Sequence, residues 1–222
     1  MRQSDVMVYL MTGFLDSGKT QFLTFTLEQD YFQIQGKTLL ILCEEGEEEY
    51  DPKEMLKYGV VIEKVEDKED LTEAWLEEMN RKHKPERVVV EYNGMWPVSD
   101  FEKLALPAGW KIEQKIATVD ASTFQMYLTN LKPLFVEMVK GAELVLFNRC
   151  EDRGPLAGYR RSVKVVSPQA EVIFEDENGE VDNIFEDEVP YDLNAPVIEI
   201  RREDYGIWYV DMMEIQTGIR EK

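Results

Sequence analysis

Residues Gly13-Phe14-Leu15-Asp16-Ser17-Gly18-Lys19-Thr20 fit the pattern G-x-x-x-x-G-K-[ST] at every fixed position. Such a loop must curl so that successive backbone N–H groups face one phosphate, and glycine is needed where a Cβ would collide. Lys19 would then reach the β- and γ-phosphates, and the Thr20 hydroxyl would ligate Mg²⁺. A helix that starts at this point and runs on through Gln21 turns its positive end toward the same anion. The expected chemistry is binding of a nucleoside triphosphate by Gly13, Asp16, Ser17, Gly18, Lys19, Thr20 and Gln21.

A second group follows the apolar run Leu144-Val145-Leu146-Phe147, which leads into Asn148-Arg149-Cys150-Glu151-Asp152. A strand ending in N-K-x-D reads guanine, because its last carboxylate accepts from N1 and the exocyclic amine, donors that adenine does not offer there. In this chain Arg149 stands for Lys and Glu151 for Asp, with Asp152 as an alternative acceptor one residue later. Arg149 keeps a long aliphatic stem that can lie along a base plane. The other reading is an ordinary polar loop after a strand.

These residues need a frame that brings loop ends together. Apolar runs of strand length recur at Val6–Met11, Thr38–Leu42, Val60–Val65, Arg87–Val90, Ile112–Val119, Leu144–Phe147 and Glu171–Phe174. Between them Gly18–Leu27, Leu71–Lys82 and Thr123–Lys140 repeat apolar residues at three- and four-residue steps, as helices do. Phe22, Leu23, Phe25 and Leu27 form the apolar set of the first, and Leu71, Trp75, Leu76 and Met79 share a face in the second. Alternation of this kind predicts an α/β fold, doubly wound, with a mainly parallel sheet covered by helices on both faces. Residues 1–190 are expected to form this domain. After an acidic stretch, Glu175–Glu188, residues 191–222 hold two short apolar runs, Val197–Ile200 and Ile207–Val210. They read as an appendage, or as the start of a second domain cut short.

The 222 residues carry 25 Lys plus Arg against 45 Asp plus Glu, a formal net charge of −20. That surface repels phosphodiester backbones and anionic lipid, so no nucleic-acid partner is expected. No apolar run approaches spanning length, so no membrane insertion is expected and a soluble, cytoplasmic domain is the default. Two cysteines and one histidine exclude a disulfide framework and a zinc-finger fold.

Taken in order, the landmarks resemble the CobW group of P-loop GTPases, relatives of HypB and UreG. The family's G-F-L-G-A-G-K-T appears as Gly13 to Thr20, and its N-E-F-G-E-V-G-I-D resembles Cys43-Glu44-Glu45-Gly46-Glu47-Glu48-Glu49-Tyr50-Asp51. Its E-[ST]-[ST]-G matches Glu91-Tyr92-Asn93-Gly94, and V-D-A matches Val119-Asp120-Ala121. L-N-K-x-D matches Phe147 to Glu151, and N-P-x-A resembles Ser167-Pro168-Gln169-Ala170. The resemblance implies a P-loop NTPase fold, binding of GTP and GDP with Mg²⁺, and slow hydrolysis. It also implies coupling to delivery of a metal such as zinc or cobalt, or to a metalloprotein client, and nucleotide-dependent homodimers. By position, Lys19, Glu44 and Glu47 would be catalytic, and Thr20, Glu44 and Glu91 would hold Mg²⁺. Glu91, Gly94, Asn148, Arg149 and Glu151 would join the nucleotide contacts.

The family's C-x-C-C metal motif has no counterpart in Val60–Leu71, which contains no cysteine. Cys43 then admits two readings: a Zn²⁺ ligand together with Glu44 and Glu47, or a small buried thiol at a strand end. Two alternatives to the GTPase remain at this stage. One is a nucleotide-dependent binding module with negligible turnover. The other is a small-molecule kinase using Arg149, Arg153, Arg160 and Arg161 as a lid.

Overall fold

The structure is a computed structural model that describes residues 5–44, 46, 49–151, 156–177, 179–180, 200–202 and 208–210. The chain divides into two compact units, residues 1–182 and 183–222. The domain boundary expected at residue 190 and most of the acidic stretch lie outside the described residues.

The first unit is built on the strands β1 (Val6–Thr12), β2 (Thr38–Leu42), β3 (Val60–Lys64), β4 (Arg87–Glu91), β5 (Trp110–Asp120), β6 (Leu144–Asn148) and β7 (Glu171–Asp176). All seven pair in parallel, in the order β3-β2-β4-β1-β5-β6-β7, and a two-residue β8 (Gly179–Glu180) adds antiparallel to β7. All seven strands expected in this unit are present, with ends shifted by at most two residues. β2 and β4 are buried at every residue, which is why they read as unbroken apolar runs rather than as alternating ones.

Helices supply the cover: α1 (Lys19–Glu28), α2 (Pro52–Lys57), α3 (Glu73–His83), α4 (Val98–Glu102), α5 (Phe124–Asn130), α6 (Lys132–Val139) and α7 (Leu156–Val166). The single helix expected over Thr123–Lys140 is two, broken at Leu131, with Pro133 in the first turn of α6. Proline is tolerated there because the first helical N–H groups lack partners in any case. On α1 Leu23 and Leu27 are buried and Phe22 packs partly buried against the same cluster, while Phe25 is exposed. On α3 Leu76 and Met79 face the core, and Thr72 caps the helix by accepting from the Trp75 N–H. The short helices α2 and α4, and the amphipathic α7, were not expected from the sequence.

Two apolar clusters cover the β2–β4–β1 part of the sheet. One contains Val8, Leu10, Leu39, Ile41, Val88 and Val90, and the other Met11, Leu23, Leu27, Leu40 and Val89. Beside β6, the rings of Phe124, Phe135, Phe147, Tyr159 and Phe174 stack or meet edge to face, fixing α5, α6 and α7. Arg87 is buried at the other end of β4, where its guanidinium lies 3.7 Å over the Phe32 ring and donates to the Thr38 hydroxyl. In the second unit β9 (Ile200–Arg202) and β10 (Trp208–Val210) pair antiparallel; β10 lies within the expected Ile207–Val210, whereas β9 shares only Ile200 with the expected Val197–Ile200.

Candidate functional site

β1 lies between β4 and β5, so the chain leaves its C-terminal end at the point where successive connections diverge to opposite sides of the sheet. Open α/β sheets bind ligands at such a crevice. The loop Gly13–Gly18 occupies it, and α1 begins at Lys19.

The loop's conformation follows from its residues. Gly13 has φ +152° and Gly18 φ +86°, and a Cβ on Gly13 would come within 2.5 Å of both the Ser17 and Thr118 hydroxyls. The family's second glycine is Asp16 in this chain, and it takes φ 60°, a conformation that Asp tolerates better than most residues. Ser17, where the family has Ala, exchanges a 2.9 Å hydrogen bond with Thr118 on β5. From the β4 side Gly94 presses on the same loop, where a Cβ would meet the Gly13 carbonyl at 2.1 Å and the Phe14 Cα at 2.7 Å. Only glycine fits at that position without moving backbone.

Lys19 is 3% exposed, and its ammonium donates to the carbonyls of Gly13 (2.8 Å) and Phe14 (2.9 Å). It also pairs with Glu44 Oε2 at 2.5 Å. Next to it Thr20 Oγ1 donates to Glu91 Oε1 at 2.8 Å, and the Tyr50 hydroxyl donates to Glu91 Oε2 at 2.5 Å. Burial pushes the Glu91 carboxyl up, and the Tyr50 and Thr20 hydroxyls and the Lys19 charge offset only part of that. A cavity of about 120 Å³ opens among Asp16, Gly18, Lys19, Thr20, Glu91 and Arg149.

At the end of β6 Asn148 Nδ2 donates to the Ser17 carbonyl at 2.8 Å, tying the second candidate group to the first. Its Oδ1 is buried with no hydrogen-bond partner among the described residues. Arg149, at φ 54°, donates through Nη1 to the Asp16 carbonyl (2.8 Å) and Asp120 Oδ2 (2.6 Å). Asp120 is held in turn by the Ser122 N–H and hydroxyl. Burial raises the Asp120 carboxyl, but Ser122 and Arg149 outweigh it and leave it below its ordinary value.

The expected site residues thus fall into three sets. Gly13, Asp16, Ser17, Gly18, Lys19, Thr20, Glu44, Glu91, Gly94, Asn148 and Arg149 converge on one crevice. Gln21 and Glu151 are exposed beside it, and Glu47 lies outside the described residues. Glu44 meets Lys19 rather than the Thr20–Glu91 pair with which Mg²⁺ binding had grouped it. Tyr50, Thr118 and Asp120 were missed as site residues, although Tyr50 and Asp120 stood inside quoted motifs. Thr118 has no sequence signal beyond its place two residues before Asp120.

Cys43 is buried at the end of β2, and burial, with Glu91 and Glu44 nearby, pushes its thiol strongly up. Among the described residues no three His, Cys, Asp or Glu side chains are grouped to hold a metal, and Glu47, expected as a donor beside Cys43 and Glu44, lies outside those residues. Of the arginines considered for a kinase lid, Arg149 is tied to Asp120, and Arg160 lies over the Phe174 ring and bonds the Val172 carbonyl. Arg153 lies outside the described residues. No described helix is long and apolar enough to cross a membrane.

The family model for the CobW/HypB/UreG nucleotide-binding domain matches residues 7–174. Among solved structures, the hydrogenase maturation factor HypB from Archaeoglobus fulgidus aligns with a TM-score of 0.55 at 19% identity, covering 78% of this chain and 81% of that one. Zn(II)-bound YjiA GTPase from E. coli aligns at 0.57 and 22% identity over 81% of this chain, which spans 60% of the YjiA chain. HypB from Helicobacter pylori, solved in complex with nickel, aligns at 0.53 and 14% over 78% and 79% of the two chains. At these identities the structural likeness speaks for the P-loop NTPase fold alone. A search among curated proteins finds no match. Because the family match runs from β1 to β7 and takes in both candidate groups, the chain belongs to the CobW/HypB/UreG nucleotide-binding domain family.

Proposed function

We propose that the chain binds GTP with Mg²⁺ and hydrolyses it slowly to GDP. The observation that supports this best is the convergence of the Gly13–Thr20 loop, the Thr20–Glu91 oxygen pair and Asn148 on one crevice. The loop amides and Lys19 bind phosphates, which replace the Glu44 carboxylate as the anion beside the ammonium. Thr20 and Glu91 are hard oxygen donors of the kind Mg²⁺ takes, and both already face each other. Held by Thr20 and Glu91, the ion would supply neutralisation of the charge that develops during phosphoryl transfer. Glu44, with Glu47 beside it in sequence, orients the attacking water. Asn148, the Arg149 stem and Glu151 read the base, and the unpartnered Asn148 Oδ1 is an acceptor available to it.

We extend this reading, by the family resemblance, to coupling of the nucleotide cycle with metal delivery or a metalloprotein client, and to nucleotide-dependent homodimers. The described residues group no three metal donors, so this reading has the metal held by the client or shared with it.

Phosphate release tests the central part. Turnover below about 0.01 per second is expected with Mg²⁺ and GTP, and it should vanish in Lys19→Ala. Activity that survives Lys19→Ala would contradict the reading. Binding of GTP without any turnover would favour a nucleotide-dependent binding module instead.

A further inference from the structure

Glu91 presents a physical problem that the phosphate loop alone does not solve. It is 4% exposed at the end of β4, and a buried carboxylate is costly unless its oxygens are hydrogen-bonded. One oxygen takes the Thr20 hydroxyl and the other takes the hydroxyl of Tyr50. The phenol arrives there on a fixed mount. Its ring packs against the cluster that includes Met55, Leu23 and Leu27. The next residue, Asp51, caps α2 by accepting from the Lys53 N–H at 2.8 Å, and Pro52 starts that helix. Backbone and ring are therefore both held before the hydroxyl meets Glu91. The family pattern quoted for this segment has isoleucine at the corresponding place, so a hydroxyl at residue 50 is a feature of this chain.

We propose that Tyr50 is a positioning residue for the divalent-cation site. By holding Glu91 Oε2 it fixes the carboxylate so that Oε1 faces Thr20 in the oxygen pair that would take Mg²⁺. The inference rests on the nucleotide reading above, and it adds to that reading a group outside both sequence motifs that name the loop and the base reader.

The test is calorimetry of GTP binding as Mg²⁺ is titrated, and again in EDTA, for the wild type, Tyr50→Phe, Glu91→Gln and the double variant. Tyr50→Phe keeps the ring and loses only the hydroxyl. Losing a hydrogen bond to a charged group predicts about a tenfold weaker apparent Mg²⁺ affinity. GTP affinity in EDTA should stay within about twofold, and in the Glu91→Gln background the substitution should add little, because both changes act on one contact. Thermal unfolding of Tyr50→Phe and Tyr50→Ala separates packing from positioning: only the alanine variant should lose several degrees. A Tyr50→Phe protein that titrates with Mg²⁺ like the wild type overturns the inference. So does an equal loss with and without Mg²⁺, or additivity with Glu91→Gln, either of which makes Tyr50 a packing residue. A wild type that binds no GTP at all would instead overturn the nucleotide reading, and this inference with it.

Discussion

The two halves of the candidate site, one proposed to bind phosphate and one proposed to read the base, are built differently. The phosphate half is a buried assembly of backbone, where Gly94 lies against the Gly13 carbonyl, Ser17 is bonded to Thr118 and Lys19 is enclosed. The base half is a surface loop that rests on a few side chains: Asn148 reaches Ser17, Arg149 is pinned to Asp16 and Asp120, and Glu151 is exposed. Where backbone itself makes the site, glycine at fixed places is the only solution, and the sequence motif is complete. Where side chains make it, substitutions such as Arg149 for lysine can be absorbed by a partner such as Asp120. Phosphate recognition is therefore expected to be stringent and base recognition adjustable.

Inorganic triphosphate, which has no base, separates the halves experimentally. The largest effect is expected for Lys19→Ala, which should weaken GTP and triphosphate alike by roughly a hundredfold, since it removes a charged donor from an enclosed site. A loss confined to GTP would break the division. Gly94→Ala comes next. Its Cβ meets backbone that cannot swing aside, so overpacking of about 1–3 kcal/mol should lower the melting temperature by about 5 °C and weaken both ligands roughly tenfold. Unchanged melting would show that the two loops are not in contact. Arg149→Ala should weaken GTP by about five- to tenfold and triphosphate by only about twofold, because it removes the Asp120 pair at the base loop and one contact to the Asp16 carbonyl of the phosphate loop. The smallest effect concerns acid. A carboxyl held below its ordinary value contributes stability above its unfolded pKa, about 3.9 for Asp, and that contribution is lost as pH falls through the folded value. Asp120→Asn should thus flatten the melting-versus-pH curve below about pH 4, by no more than about 1 kcal/mol once exposure of Arg149 is allowed for. A curve identical to the wild type would remove the Arg149–Asp120 pair from the account.

The parallel strands were legible because strands buried on both faces write themselves as valine- and leucine-rich runs, as in Thr38–Leu42 and Arg87–Val90. Short or interrupted helices were not. α2 and α4 have too few turns to show a period, and the break at Leu131 depends on how α5 and α6 pack rather than on composition. α7 has a clear apolar face in Leu156, Tyr159 and Val163, but three consecutive polar residues, Arg160 to Ser162, conceal it. In the site, the residues that converge on the crevice were found from the spacing of the Gly13–Thr20 loop and from the family resemblance at Glu44, Glu91, Gly94 and Asn148. Tyr50, Thr118 and Asp120 support other side chains, and such support depends on three-dimensional neighbours that lie 41 to 101 residues away in sequence for Tyr50 and Thr118. Glu44 shows the intermediate case. Its presence at the crevice was expected, yet its partner, Lys19, was settled only by the fold.

The most direct measurement is titration calorimetry with Mg²⁺ and each of GTP, GDP, ATP and inorganic triphosphate, on the wild type and Lys19→Ala. The account predicts binding of all four through the phosphate half, a preference for the guanine nucleotides set by the base half, and loss of binding throughout in the variant. Preference for ATP would contradict the guanine assignment of Asn148, Arg149 and Glu151. Binding that survives Lys19→Ala, or no binding by the wild type, would contradict the nucleotide site itself.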